Sequence, residues 1–183
     1  MDHFESVIKT LLEGKGYWVR QSFKVKLTKE EKRQIGKPSI PRPEIDLLAF
    51  KPAQNRVLAF EAKSFLDSTG VRLSCLNEVH AIPEGKYKLF TCENYRRIVL
   101  ARLKQDLIAL DMANEATEIV LGLAAGKVYQ SRSAEIEQVF AQHGWIFWSP
   151  EDIRRYVIDL AKLGYENEPA IITAKILMRQ ATP

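Results

Sequence analysis

The chain has 183 residues, of which 46% are hydrophobic and 9% aromatic, enough apolar material for one folded domain without disulfide bonds. Its longest apolar runs are far shorter than the roughly 20 residues of a membrane-spanning helix, so we expect no membrane association. Only two cysteines are present and the first residues do not resemble a signal peptide, which favours a cytoplasmic protein. The net charge of +4 is too small to indicate an anionic partner by itself.

Hydrophobic spacing predicts one helix and three strands in the first third of the chain. Apolar residues recur at the helical spacing over 3–14, and the spacing changes to two residues over 17–27, which is typical of a strand with its apolar residues on one face. The other face of this strand is basic. Residues 28–43 combine several Lys and Arg residues with three prolines, which predicts a mobile cationic loop. Two further strands, over 44–50 and 56–63, are joined by a short turn and therefore form a hairpin.

The rest of the chain contains helices alternating with short strands. Residues 64–91 show little periodicity and several turn signals, so we expect an insertion or a lid. A helix over 92–113 carries two apolar stripes, which predicts burial on two sides. The remaining predicted elements are a strand, a helix, a short strand and two helices, over 118–125, 133–143, 145–148, 149–160 and 169–180.

This order of elements predicts the fold class. An early hairpin followed by helical crossovers makes a mixed sheet with helices on its faces, which is an α/β domain. We expect a single domain over 1–183, with a core of about 3–150 and a C-terminal helical extension of about 150–183.

Three charged residues interrupt the apolar pattern of the hairpin. Asp46 lies within the first of its strands, and Glu61 and Lys63 end the second. Since Glu61 and Lys63 are two residues apart they project from the same face, and the tight hairpin allows Asp46 to lie across from them. A buried carboxylate without a partner costs several kcal/mol. The cluster therefore predicts either a mutual salt bridge or a cation bound between the carboxylates.

The composition of this cluster favours a metal-dependent hydrolase over a structural salt bridge. Two carboxylates without His or Cys suit Mg²⁺, for which Mn²⁺ is expected to substitute. The ion would polarise a phosphodiester and lower the pKa of water, while Lys63 would orient that water or stabilise the charge that develops on phosphorus. Phosphodiester hydrolysis is therefore the expected reaction.

Asp46 followed by Glu61-Ala62-Lys63 resembles the D…(D/E)xK signature of the PD-(D/E)XK superfamily of restriction-endonuclease-like nucleases, especially its small resolvase-like and uncharacterised bacterial members. The order of the first six predicted elements is similar to the αβββαβ core of that superfamily. The resemblance implies that Asp46, Glu61 and the backbone carbonyl of Ala62 bind the metal and that Lys63 is the catalytic lysine. One departure is Ile45, which stands where the proline of the family name would precede Asp46.

Two more catalytic candidates follow from the same resemblance. Relatives often place an acid on the first helix and a polar residue on the helix after the third strand, and Glu5 and Gln105 occupy such positions. Each has an alternative interpretation. Glu5 is also explained as a surface helix acid, and Gln105 as a buried amide in a structural hydrogen bond.

The basic face of the first strand and the loop after it lead directly to Asp46. Lys and Arg contacts to phosphates supply most sequence-independent affinity for nucleic acids, although solvated surface charge is the alternative interpretation. The predicted nucleic-acid-binding residues are Arg20, Lys24, Lys26, Lys37 and Arg42.

The expected function is therefore Mg²⁺-dependent endonucleolytic cleavage of DNA, with RNA left open as a substrate. The main alternative is a catalytically inactive module of the same fold that binds DNA or mediates assembly. An α/β enzyme acting on a small phosphorylated molecule is a third interpretation, although no glycine-rich phosphate loop follows any strand. Double-strand cleavage would require two sites, and the helix at 169–180 is a candidate dimer contact.

Overall fold

The computed structural model of the protein describes residues 2–164 and 166–179. Its strands are β1 (Trp18–Lys24), β2 (Glu44–Lys51), β3 (Arg56–Lys63), β4 (Glu118–Ala125) and β5 (Ile146–Trp148). Its helices are α1 (His3–Gly14), α2 (Lys29–Gln34), α3 (Leu73–Leu76), α4 (Lys88–Thr91), α5 (Glu93–Ile108), α6 (Ser133–Gln142), α7 (Pro150–Leu160) and α8 (Pro169–Met178). None of the helices in these described ranges has both the length and the hydrophobicity needed to cross a bilayer.

The five strands form one mixed sheet in the order β1-β2-β3-β4-β5. The first two pairings are antiparallel, as expected for a hairpin, and β3-β4 and β4-β5 are parallel because helices connect these strands. The protein is therefore an α/β domain with helices on both faces of the sheet, and the prediction of this fold class is confirmed.

Two hydrophobic clusters cover the two faces of the sheet. On one face, α5 packs through buried side chains such as Tyr95 and Leu103. On the other face, α1, α7 and α8 pack together through residues that include Ile8, Ile153 and Ile171. The C-terminal helices thus belong to the same cluster as the first helix.

Strand β1 changes faces in its middle. Tyr17 and Val19 pack against the cluster that contains α1, whereas Phe23 and Val25 are buried in the cluster that contains α5. Between them, Ser22 has a left-handed backbone conformation (φ 53°), which rotates the following residues onto the other face of the sheet. The prediction that all apolar residues of this strand share one face is therefore wrong.

The cationic segment after β1 begins with the short helix α2, which corrects the expected mobile loop. Thr28 and Glu31 form a reciprocal capping box at its start, and Arg102 of α5 contacts the Glu31 carboxylate at 2.8 Å. Ile35 and Ile40 are buried. The segment is thus attached to α5 at several points.

The segment 64–91 contributes to the core in its middle, through Val71 and Leu76, and at its end. Tyr87, Leu89 and Phe90 are buried, and they lie in or beside α4. Residues 64–91 are thus only partly the separate insertion or lid that the pattern predicts.

Helix α5 ends earlier than predicted and is buried mainly on one side. Its last helical residue is Ile108, and both Ala101 and Gln105 are exposed. The predicted burial of α5 on two sides is therefore wrong. The predicted burial of the Gln105 amide, which followed from it, is wrong as well.

The C-terminal helices differ in how well their apolar residues are covered. Helix α7 starts with the expected cap at Ser149. In α8, Ile171 and Ala174 are buried, but Ile176 and Leu177 are exposed. The dimer contact proposed for this helix stays a prediction. Gln180, the last residue of the predicted range 169–180, lies outside the described residues.

Candidate active site

The candidate site lies where β2 and β3 stop pairing with each other. The last pair of the ladder joins Leu47 and Phe60. One residue further along, the Asp46 carboxylate takes the place of the backbone acceptor, and its Oδ2 atom accepts a hydrogen bond of 2.9 Å from the Ala62 amide. This bond fixes the Asp46 side chain against β3 and explains why an acid is tolerated in an apolar strand.

Lys63 brings the two carboxylates of the hairpin together. Its Nζ atom lies 3.1 Å from Asp46 Oδ2 and 3.1 Å from Glu61 Oε2. The three side chains are largely buried, with exposed fractions of 18% for Asp46, 12% for Glu61 and 19% for Lys63. The convergence expected from the sequence is thus present, and we call these three residues the acidic cluster.

Glu61 is the member of the acidic cluster whose negative charge is least well stabilised. Burial and the neighbouring Asp46 carboxylate raise its pKa to about 7, although Lys63 opposes this shift. Its Oε1 atom is buried and receives no hydrogen bond from any residue that the structure describes. A buried anionic oxygen without a donor is unfavourable, so additional positive charge at this position would stabilise the protein.

Lys63 is held in its charged form. Burial favours the neutral amine, but the carboxylates of Glu61 and Asp46 outweigh it and raise the pKa of Lys63 above its usual value. Its ammonium is therefore a permanent cation and hydrogen-bond donor at neutral pH.

Glu5 of α1 interacts electrostatically with the same acidic cluster. Burial, Asp46 and Asp2 raise the pKa of its half-buried carboxyl, while Lys63 acts in the opposite direction. Since the charges of Asp46 and Lys63 both affect Glu5, this carboxylate lies within electrostatic reach of the cluster. Gln105, in contrast, is exposed on α5, so the buried position that supported its candidacy is wrong.

Three side chains that the sequence does not mark as site residues interact electrostatically with the cluster. The pKa of Tyr95 is raised by burial and by Glu61, and burial likewise raises the pKa of Tyr87 to about 12 against the opposing charge of Lys63. The charge of Lys88 opposes the rise in the pKa of Glu61. Tyr95 belongs to a recognisable apolar stripe, but no spacing pattern marks Tyr87 or Lys88, which lie at the end of the irregular segment.

The predicted nucleic-acid-binding residues occupy two environments. Lys37 is half-buried, and its Nζ atom donates to the Pro83 carbonyl at 2.6 Å. The exposed ones are Arg20, Lys24, Lys26 and Arg42, and Lys24 is paired with Glu44 at 3.8 Å. Because Ser22 turns the strand over, Arg20 and Lys24 project from opposite faces of the sheet. Arg20 lies on the α5 side, 5.1 Å from the centre of the Phe23 ring. The single basic face predicted for β1 is therefore wrong, and the role of these residues in binding stays a prediction.

The donor set of the cluster is compatible with a hard divalent cation. Among the residues described, no group of three or more His, Cys, Asp or Glu side chains is arranged to hold a metal. Mg²⁺ needs only one or two protein carboxylates because it keeps several of its waters. Asp46 and the unsatisfied Oε1 of Glu61 supply such a pair.

Comparisons with protein-family models, with curated protein sequences and with solved structures gave no match. The fold and the site themselves define an α/β domain with a buried cluster of two carboxylates and one ammonium at the end of a hairpin. The family resemblance of the motif stays a prediction.

The raised pKa of Glu61 predicts how stability depends on pH in the metal-free protein. Because the folded pKa of about 7 exceeds the usual 4.5, the folded state favours the protonated acid. The resulting stability is fully present below pH 4.5 and is lost as the pH rises towards 7. We expect Glu61→Gln to be more stable than the wild type at pH 8 in EDTA, by about 1–3 kcal/mol, and this advantage to disappear near pH 4.5.

Thermal unfolding across this pH range measures the difference. Glu118→Gln is the control, because Glu118 is an exposed acid of the neighbouring strand β4. A Glu61→Gln variant that is less stable than the wild type at pH 8 would show that the charged carboxylate is already well satisfied.

Proposed function

We propose that this protein is a Mg²⁺-dependent endonuclease that hydrolyses DNA phosphodiester bonds at the acidic cluster. The observation that carries the proposal is the buried Oε1 atom of Glu61, which has no hydrogen-bond donor and lies in a cluster with a second carboxylate. One ammonium balances only one of the two negative charges. A divalent cation held by Asp46 and Glu61 would supply the further positive charge, and Glu5 adds a nearby negative charge.

The order of the elements supports the same proposal. The sequence α1, β1, β2, β3, α5, β4 is similar to the αβββαβ core of restriction-endonuclease-like nucleases. Asp46 lies on the second strand of this order, and Glu61-Ala62-Lys63 ends the third. The short helices α2, α3 and α4 are then additions to that core.

The residues of the cluster have distinct roles in this proposal. Asp46 and Glu61, with the Ala62 carbonyl implied by the motif, would hold the Mg²⁺ ion. When bound, the ion supplies positive charge that polarises the phosphodiester and acidifies water. In this hydrolysis the water oxygen would form a new bond to phosphorus, one P–O ester bond would break, and the departing sugar oxygen would take up a proton to leave as a hydroxyl.

Lys63 contributes a charge that is already in position before substrate binds. Its ammonium is protonated and held by Asp46 and Glu61 at 3.1 Å each. A donor fixed in this way stabilises the negative charge that develops on the phosphate oxygens, and no rearrangement is needed during the reaction. Glu5 adds a further negative charge near the cluster.

The rival function is a non-catalytic module of this fold that binds DNA or mediates assembly. One observation favours it: Lys63 bridges both carboxylates, so the cluster can persist as a salt bridge without a metal. The two functions differ in whether Glu61 is needed for metal binding.

Two measurements on the full chain test the proposal. We expect the wild type to nick supercoiled plasmid with MgCl₂ or MnCl₂ and not with EDTA. In calorimetric titration with MnCl₂, we expect Glu61→Gln to bind at least about 10-fold more weakly than the wild type, with Glu118→Gln as the control. Metal binding that does not depend on Glu61, together with an intact plasmid, would favour the non-catalytic module.

A further inference from the structure

A cleft of about 380 Å³ lies between two segments of the chain. One wall is formed by residues 37–41, before β2, and the other by residues 83–88, before α5. The charged side chains that line the cleft are Lys37, Lys88 and Glu84. Its net charge is therefore positive.

Lys37 holds the two walls of the cleft together. Its Nζ atom crosses from one segment to the other and donates a hydrogen bond of 2.6 Å to the Pro83 carbonyl. Ile40 and Pro83 are buried beneath the two walls. The cleft is thus anchored to the core on both sides, and Lys37 is partly used for this structural contact.

Lys88 is the cation of the cleft that has no such contact. It is half-buried, and its ammonium forms neither an ion pair nor a hydrogen bond with any part of the chain that the structure describes. Its Nζ atom lies 5.7 Å from the centre of the Tyr95 ring. Its positive charge acts to lower the pKa of Glu61. An ammonium that is partly withdrawn from water and forms no direct ion pair favours the binding of an anion.

We propose that Lys88 and the cleft it lines bind a backbone phosphate of the DNA strand, next to the phosphodiester that is hydrolysed at the acidic cluster. This inference rests on the proposed function. The charge of Lys88 acts on Glu61, but the cleft that Lys88 lines contains none of the three cluster residues, so Lys88 can hold the strand without replacing Lys63. Glu84, on the rim of the same cleft, opposes the phosphate and limits the affinity.

Fluorescence anisotropy in EDTA tests the phosphate site, because binding is then measured without cleavage. The probes are fluorescein-labelled 20-nucleotide DNA, single-stranded and as a duplex. We expect Lys88→Gln to weaken binding about 3–10-fold and to reduce the slope of log affinity against log salt concentration by about one. Lys88→Arg, which keeps the charge, should bind as the wild type does, and Glu84→Gln should bind more tightly.

Lys86→Gln is the matched control. Lys86 is exposed two residues before Lys88, and its Nζ atom lies over the Phe65 ring at 5.1 Å instead of lining the cleft. An equal loss of affinity in Lys86→Gln and Lys88→Gln would reduce the effect to general surface charge and overturn the inference. An unchanged Lys88→Gln variant, or a wild type that binds neither probe, would also overturn it.

The same variants in the plasmid assay separate this inference from the proposed function. If the wild type nicks plasmid and Lys88→Gln retains full affinity, hydrolysis stands and the phosphate site is wrong. If Lys88→Gln binds DNA more weakly than the wild type and Lys86→Gln do, but the wild type does not cleave plasmid, the phosphate site stands and hydrolysis is wrong. Thermal unfolding of each variant shows that the fold is retained.

Discussion

Lys63→Gln and Asp46→Asn are each expected to slow Mg²⁺-dependent plasmid nicking by at least about 10²–10³-fold. The two substitutions remove different contributions. Asp46→Asn withdraws a negative charge that would bind the cation, while its side-chain oxygen can still accept from the Ala62 amide. Lys63→Gln removes the ammonium that contacts both carboxylates at 3.1 Å. Initial nicking rates under saturating substrate measure both effects.

The ion pair of Arg56 and Glu118 provides matched controls for these variants. Its atoms are 2.8 Å apart, and it joins the first residues of β3 and β4, so it lies at the other end of the strand that carries Lys63. Both of its side chains are more exposed than those of the acidic cluster. We therefore expect Arg56→Gln and Glu118→Gln to nick plasmid at the wild-type rate.

Stability must be followed alongside activity, because Lys63→Gln leaves two buried carboxylates without their cation. Breaking one partner of a buried ion pair costs about 3–5 kcal/mol, so this variant is expected to melt at a lower temperature. The comparison of rates is valid at temperatures where circular dichroism shows a folded variant. Folded Lys63→Gln and Asp46→Asn proteins that both cut at the wild-type rate would contradict the assignment of the cluster as the catalytic centre.

The hairpin of the acidic cluster was predictable because local signals determine it. Continuous apolar runs at 47–50 and 57–60 define β2 and β3, and the turn between them contains Pro52 and a left-handed Asn55. A tight hairpin leaves few possible registers, so the spacing of Glu61 and Lys63 and their position opposite Asp46 follow almost directly. This part of the candidate site is encoded over a stretch of eighteen residues from Asp46 to Lys63.

The errors arise where contacts distant in the sequence override a local pattern. The alternation of β1, which Trp18 and Gln21 interrupt, does not by itself reveal that Ser22 turns the strand over. The two apolar stripes of α5 do not show which of them faces the sheet, and Gln105 lies on the exposed side. The helix α2 has a local signal that predicts it, because Thr28 and Glu31 have the spacing of a capping box.

The surroundings of the acidic cluster were the least predictable part of the site. Lys88 and Tyr87 lie in or beside a four-residue helix, which is too short to show a period. Their position near Glu61 and Lys63 results from the path of the whole 64–91 segment across the sheet. Contacts of this kind depend on the three-dimensional path of the chain and leave no local signal in the sequence.

Substitution of Glu5 is the second test, because its result shows whether this acid of α1 helps to bind the metal or is only a surface acid. Its half-buried carboxyl is within reach of Asp46 and Lys63, and burial raises its pKa. A third negative charge beside two metal-binding carboxylates strengthens the attraction for a divalent cation. We therefore expect Glu5→Gln to raise the Mg²⁺ concentration needed for half-maximal nicking by about 10-fold.

Glu13→Gln on the same helix is the control for this prediction. Glu13 lies at the far end of α1, is exposed and pairs with Lys9 at 3.7 Å, so its substitution changes the helix charge equally without facing the cluster. We expect the Mg²⁺ dependence of Glu13→Gln to match the wild type. Because Glu5→Gln also removes a carboxylate whose charge Asp46 disfavours, it should not lower the melting temperature in EDTA. Equal metal dependence in the two variants would make Glu5 a surface helix acid and limit metal binding to Asp46, Glu61 and the Ala62 carbonyl.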